Sequence, residues 1–167
     1  MEKERKLTSV LAMIYLLVLI WIIVFKMQFS FENLQGIRNI NLVPFGESVI
    51  INGKIDFDEI IGNVIIFIPL GLYLNMLKKD WKWHKKIGFI AGLSLIFEIL
   101  QYIFAIGATD ITDLITNTLG GIVGLGSYEI LNKILGTQSK TNRILNVLGV
   151  LGSIFVSLFL LLLIVMN

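Results

Sequence analysis

The sequence predicts an all-α membrane protein of five transmembrane helices, with an amphipathic outer loop between the first and second. Three observations carry that expectation. Hydrophobic residues fill 56% of the 167 positions and charged residues only 16%, well under the roughly 25% of ordinary soluble domains. The apolar residues fall in five runs, each close to the roughly 20 residues that a helix needs to cross a bilayer. Eleven of the fourteen Lys and Arg residues sit in three segments that five crossings place on one side. The length fits one domain, residues 1–167. The chain has no cysteine, which excludes disulfides, thiolate zinc sites and a cysteine nucleophile. A net charge of +2 with no basic stripe leaves no footprint for nucleic acid.

The elements follow in order. Met1 to Lys6 is a short charged head, and residues 7–25 form the first span. No small-x-small cleavage site follows this run, so it reads as an uncleaved span and not a signal peptide. Gln28 to Glu59 is the one long polar segment. It is expected on the membrane surface with Ile40, Leu42, Val43 and Phe45 dipping in, and Asp56 or Asp58 is placed to cap the next helix. Residues 60–77 form span two, which Pro69 is expected to kink by removing a backbone donor. Lys78 to Lys86 is a basic aromatic loop whose Trp81 and Trp83 suit the interfacial belt. Residues 87–106 form span three, Gly107 to Thr112 a tight turn, and residues 113–135 span four. Gly136 to Arg143 is a polar loop, and residues 144–166 form span five, almost wholly apolar.

The clustered Lys and Arg residues fix an expected orientation. The N-terminus, the Lys78–Lys86 loop and the Lys133–Arg143 region face the cytoplasm; the C-terminus and the acidic loop before span two face outside. Asn41 to Phe45, Asn63, Asp110, Asp113 and Asn117 then lie at the outer membrane face, with Glu98 and Gln101 deeper.

The chemistry concentrates where spans three and four meet. Glu98 and Gln101 share one helical face, and Asp110, Asp113 and Asn117 share another. Glu98 falls near the bilayer middle, where an unpaired charge costs at least roughly 2.5–3.5 kcal/mol. It is therefore either a proton carrier, a general acid–base or a ligand, or else one side of a structural hydrogen bond with Gln101 and Asn117 as partners. Asp110 is either the N-cap of span four, with Thr109 as rival, or a site residue. Asp113 and Asn117 carry the polar stripe into the membrane further than a cap requires. Asn63 lies on the rim of the same cavity or merely starts span two. The Gly120 to Gly124 spacing suits close helix packing, expected here against span three. Arg38 is either an anionic-headgroup ligand or a solvated loop charge. His84, in the basic loop, has no zinc or catalytic context.

In order along the chain, Asn41-Leu42-Val43-Pro44-Phe45; Asn63 to Phe67 with Pro69 and Gly71; Ser94, Glu98 and Gln101; and Asp110, Asp113, Asn117, Gly120, Gly121 and Gly124 together resemble the VanZ-like family of small membrane proteins named for teicoplanin resistance. The resemblance covers residues 38–124. It departs from many relatives at Gly107-Ala108-Thr109, where they carry an arginine shortly before the first aspartate; either Arg38 substitutes, or the site works with less positive charge. The resemblance implies a bacterial cell-envelope role that lowers sensitivity to lipoglycopeptides such as teicoplanin.

Three function classes stand at this point. The chain binds an envelope lipid, a lipid-linked cell-wall precursor or the antibiotic's acyl chain. Or it is an enzyme acting on such a lipid or lipid-linked glycan, with Glu98, Asp113 and Asp110 catalytic and Asp110, Asp113, Asn117 and Glu98 as candidate oxygen ligands of Mg²⁺ or Ca²⁺. Or it is a small proton- or cation-coupled transporter using Glu98. The binding wall in each case draws on Arg38, Asn41, Pro44, Phe45, Asn63, Ser94, Gln101 and Asn117. Span five, expected to lack polar positions, is left for packing or for a homo-oligomer.

Overall fold

The structure, a computed structural model, describes residues 2–24, 37–46, 50–51, 54–55 and 57–166. Among them are five helices: α1 (Glu2–Ile23), α2 (Phe57–Leu77), α3 (Trp83–Phe104), α4 (Ile111–Leu135) and α5 (Gln138–Met166). Four short strands accompany them: β1 (Ile37–Asn41), β2 (Ile50–Ile51), β3 (Lys54–Ile55) and β4 (Ile106–Asp110). The bundle is that of a multi-pass membrane protein. Four of the helices (α1, α2, α3 and α5) are long and apolar enough to cross a membrane. The expected fourth span, α4, is a helix of 25 residues outside that group, because threonines, an asparagine and glycines dilute its apolar content. Its buried residues, Thr112, Thr116, Asn117, Gly120, Gly121, Gly124, Leu125 and Tyr128, recur at helical spacing and form one stripe. The other helices therefore bury that stripe inside the bundle.

The core is apolar and joins α1 to α4. Leu19, Ile23, Phe67, Leu70, Ile90, Phe97 and Leu125 form one buried cluster, with Phe67 and Phe97 edge-on at 6.3 Å. The closest helix approach is α2 against α4, not span three against span four as the glycine spacing suggested. A methyl on Gly124 would strike the Ile68 carbonyl and one on Gly120 the Val64 carbonyl, while Gly71 answers from α2 against the backbone of Gly121. Only Gly121 turns to α3, under the Ile90 side chain. Backbone-to-backbone packing needs small residues on both partners, and α2 supplies Gly71, whereas the α3 glycines, Gly88 and Gly92, face open space.

Several boundaries differ from expectation for local reasons. Residues 107–112 are not a tight turn. Ala105 takes the left-handed conformation that ends α3 (φ 54°), and the chain then runs extended as β4. Strand β4 pairs in parallel with β1, setting Ile37 opposite Ile106, Arg38 opposite Gly107, Ile40 opposite Thr109 and Asn41 opposite Asp110. A parallel pair needs a long crossover, and the α2–α3 hairpin provides it. The link between α4 and α5 shrinks to Gly136 and Thr137, since Gly136 closes α4 at φ 75°. Lys140 and Arg143 accordingly lie on α5. That helix is not without polar positions: Thr141 and Asn146 are buried, and Asn146 accepts the Thr8 hydroxyl of α1 at 3.0 Å. The basic loop is also shorter than expected, because α3 begins at Trp83. Helix α2 starts at Phe57, which places Asp58 inside its first turn and not at the cap; Asp56 lies outside the described residues, as does most of the Gln28–Glu59 loop.

Candidate functional site

The β1–β4 ladder lies at one end of the bundle, and the predicted site residues gather around it. Glu98 is 2% exposed. Its Oε2 accepts the backbone N–H of Asp110 at 2.9 Å, and the Thr109 hydroxyl donates to its carbonyl at 3.1 Å. Glu98 thus engages the strand leading into α4, a partner that sequence reasoning, which looked to Gln101 and Asn117, did not foresee. A carboxylate is well suited to hold the N–H that precedes a helix, because an acceptor there also meets the positive end of the helix dipole.

Asp110 is the N-cap of α4, as one of its two expected roles had it, and its side chain also reaches a second segment. Its backbone is extended, as an N-cap requires, and its Oδ1 accepts from the Thr112 N–H at 2.8 Å. Its other oxygen accepts the Asn41 side-chain amide at 3.3 Å. Asn41 also organises its own strand end, its Oδ1 accepting the Val43 N–H at 3.0 Å. Val43 to Gly46 make a turn in which the Gly46 N–H donates to the Val43 carbonyl at 3.1 Å. Pro44 and then a left-handed Phe45 (φ 54°) follow the type II pattern, which puts Pro at the first central position and a positive φ at the second. A non-glycine residue there costs roughly 1–2 kcal/mol. The Thr112 hydroxyl holds it by accepting the Phe45 N–H at 3.0 Å. The turn displays Leu42, Val43 and Phe45 exposed, with Leu42 at 72%.

The remaining predicted residues divide. Asp113, in the first turn of α4, accepts the Asn63 amide of α2 at 2.7 Å, so α2 does reach the site. Asn117 donates to Ser94 Oγ at 3.0 Å, the side-chain link between α4 and α3. Gln101 turns away toward α1 and donates to the Ile23 carbonyl at 3.0 Å. Arg38 sits in β1 opposite Gly107; its side chain lies outside the described residues. The site thus has a buried floor of Ser94, Glu98, Asp110 and Asn117, and a half-buried rim of Asn41, Asn63 and Asp113. Two buried amide oxygens, Asn117 Oδ1 on the floor and Oε1 of Gln101, the residue that turns to α1, have no hydrogen-bond donor among the described residues. Buried acceptors of that kind call for a partner. Among the described residues no three His, Cys, Asp or Glu side chains come together as metal ligands would.

Sequence reasoning missed three things. Thr109 and Thr112 join the hydrogen-bonded cluster around Glu98 and Asp110, and only their place beside two aspartates signalled it. A second polar cluster ties the opposite ends of α2, α3 and α4. Lys86, 4% exposed, donates to Asn75 Oδ1 at 2.6 Å, and the Asn75 amide donates to the Leu125 carbonyl at 2.9 Å and more distantly to Glu129. Finally, a cavity of about 330 Å³ opens between α1, α2 and α5, lined among others by Tyr15, Pro69, Tyr73, Gly149, Gly152 and Val156. It is nearly all apolar and shares no residue with the polar site.

Comparison with known proteins agrees with this picture. The VanZ/LLP1 family profile matches residues 12–132. Protein VanZ of Enterococcus faecium is 46% identical over 140 residues, covering 83% of this chain and 83% of that protein. No solved structure matches the chain.

Proposed function

The chain belongs to the VanZ/LLP1 family, and from that premise we propose that it lowers the sensitivity of the bacterial cell envelope to lipoglycopeptide antibiotics such as teicoplanin. In this reading it crosses the membrane five times, with the β1–β4 end outside, and binds an envelope lipid, a lipid-linked cell-wall precursor or the drug itself at that end. One observation supports binding above the other readings: the floor holds a buried amide oxygen, on Asn117, that lacks a donor among the described residues. A glycan or glycerol headgroup brings hydroxyl donors for such an acceptor. The rim residues Asn41, Asn63 and Asp113 meet the headgroup first. Glu98 acts through Asp110, whose N–H it fixes, and so is a positioning residue. Leu42, Val43 and Phe45, exposed on their stapled turn, face the acyl region, and the cavity between α1, α2 and α5 has the size of a small ligand pocket, roughly 300–1,000 Å³, and the apolar lining that a fatty chain prefers.

Arg38 has a place in the same reading. The ladder sets it opposite Gly107, beside the stretch where related sequences are expected to carry an arginine, so β1 is positioned to supply that cation from a different segment. An enzymatic version, with Mg²⁺ or Ca²⁺ on Asp110, Asp113, Asn117 and Glu98, draws less support, since among the described residues no three His, Cys, Asp or Glu side chains are grouped as metal ligands.

The test is teicoplanin susceptibility of cells expressing the wild type, Asp113→Asn or Glu98→Gln at matched membrane levels, with mass spectrometry of lipids that co-purify. The binding reading expects protection and lipid retention to fall together in Asp113→Asn, with the retained lipid chemically unchanged. Undiminished protection in both variants would remove this site from the function, and a modified lipid would replace binding with catalysis.

A further inference from the structure

The opposite end of the α2–α3 hairpin carries a cationic and aromatic platform that the reading above does not use. Five lysines and one aspartate lie between Lys78 and Lys86. The turn joining α2 to α3 is only residues 78–82, so it cannot leave the membrane–water boundary. Trp81 is fixed edge-on against Phe89 at 5.9 Å. Over the same indole sit two ammonium groups, Lys78 Nζ at 5.5 Å and Lys85 Nζ at 4.4 Å from the ring centre. Each distance is in cation–π range. Laid end to end they limit the separation of the two cations to about one Debye length, ~10 Å, so the cations repel. Among the described residues none of the lysines in this turn makes a salt bridge; the pair found is Lys6 with Glu2 on α1. Phe89 and Trp83 are exposed beside the platform, on the helix that enters the membrane. Lys86 is held inward by Asn75 and takes no part.

We propose that this turn is a docking surface for an anionic phospholipid. Lys78 and Lys85, gathered by Trp81, hold the headgroup phosphate between them. Phe89 and Trp83 lie against the upper acyl chains. Fixing two cations on one ring raises their mutual repulsion, and a phosphate between them relieves it. A zwitterionic headgroup does so less well, because its own ammonium group competes for the phosphate. The argument depends neither on which side of the membrane this turn faces nor on the polar site at the other end.

The experiment uses the full chain with Trp21→Phe, which leaves Trp81 and Trp83 as the only tryptophans. The protein is reconstituted into vesicles of phosphatidylcholine mixed with phosphatidylglycerol, one or the other carrying brominated acyl chains, and tryptophan quenching reports which lipid is adjacent. Phosphatidylglycerol should quench preferentially at low salt. Diffuse attraction to an anionic surface is worth about five-fold for each lysine in the turn, so the site shows as an excess over it. Lys78→Gln/Lys85→Gln should cut the preference several-fold more than Lys79→Gln/Lys82→Gln, which removes the same charge away from the ring. All these side chains are exposed, and size-exclusion profiles check that the variants stay folded. Equal quenching by the two lipids overturns the proposal. So does an equal loss in the two double variants, which would mean diffuse attraction with no site on Trp81.

Discussion

Adding one methyl group at Gly124 tests the packing that brings α2 to the polar site. That methyl would press on the Ile68 carbonyl and lie 3.0 Å from the Gly71 Cα. Both are backbone atoms of α2, so no side chain can swing away and the helix itself must move. Overpacking of this kind costs typically about 1–3 kcal/mol. Two residues along the same helix, a methyl on Gly126 meets nothing within 4 Å. There the gain in helix propensity over glycine is about 0.5–1 kcal/mol. Gly124→Ala and Gly126→Ala should therefore differ by about 1.5–4 kcal/mol in opposite directions, from the same chemical change. The assay is thermal unfolding of the purified full chain in detergent, followed by loss of the monodisperse size-exclusion peak. Separating α2 from α4 also loosens the Asn63–Asp113 hydrogen bond at 2.7 Å, so Gly124→Ala should lose antibiotic protection beyond any loss of expression. Equal stability of the two variants would refute the backbone contact and with it the claim that glycine packing carries Asn63 to Asp113.

Two other substitutions separate the roles of single groups. Asp110→Ala removes both the α4 cap and the acceptor of Asn41, whereas Asp110→Asn keeps an oxygen for Thr112; the alanine variant should be less stable by about 1 kcal/mol. In a double-mutant cycle, Asn41→Ala and Asp110→Ala should couple by about 1.5 kcal/mol, the scale of a hydrogen bond to a charged group, and independent effects would deny the contact. Lys86→Met leaves Asn75 Oδ1 buried without its donor and should cost about 1–3 kcal/mol in the same unfolding assay, while Lys79→Met, at an exposed position, should leave stability unchanged.

Local signals in the sequence explain what was legible. Apolar run length located the helices, although α1 begins five and α5 six residues before the expected spans, and the three- and four-residue spacing singled out Glu98, Asp110, Asp113 and Asn117, which the structure brings to one end of the bundle, together with Gln101, which turns to α1. The partners were not legible, because they come from far along the chain. Nothing near residues 106–110 announces that this five-residue link is a strand; its mate, β1, lies some seventy positions earlier and on the other side of two helices. That pairing decides that Asp110 meets Asn41 and presents its N–H to Glu98. The glycines of α4 were recognised as a packing face, but only the answering Gly71 on α2 fixes which helix they face. Lys86 read as loop charge because a lysine four residues into a helix looks the same whether exposed or buried. Asn75, on a different helix, makes its burial tolerable.

The most direct measurement is proximity of Ile40 to Thr109 in native membranes. The chain has no cysteine, so Ile40→Cys/Thr109→Cys introduces the only two thiols, at positions that face each other across the β1–β4 ladder. A short thiol-specific cross-linker should join them rapidly and should leave Ile40→Cys/Thr116→Cys unjoined, since Thr116 lies more than a turn down α4. Failure of the first pair, or equal reaction of both, would mean that β1 does not lie along β4, and the convergence of Asn41, Asp110 and Glu98 would have no basis.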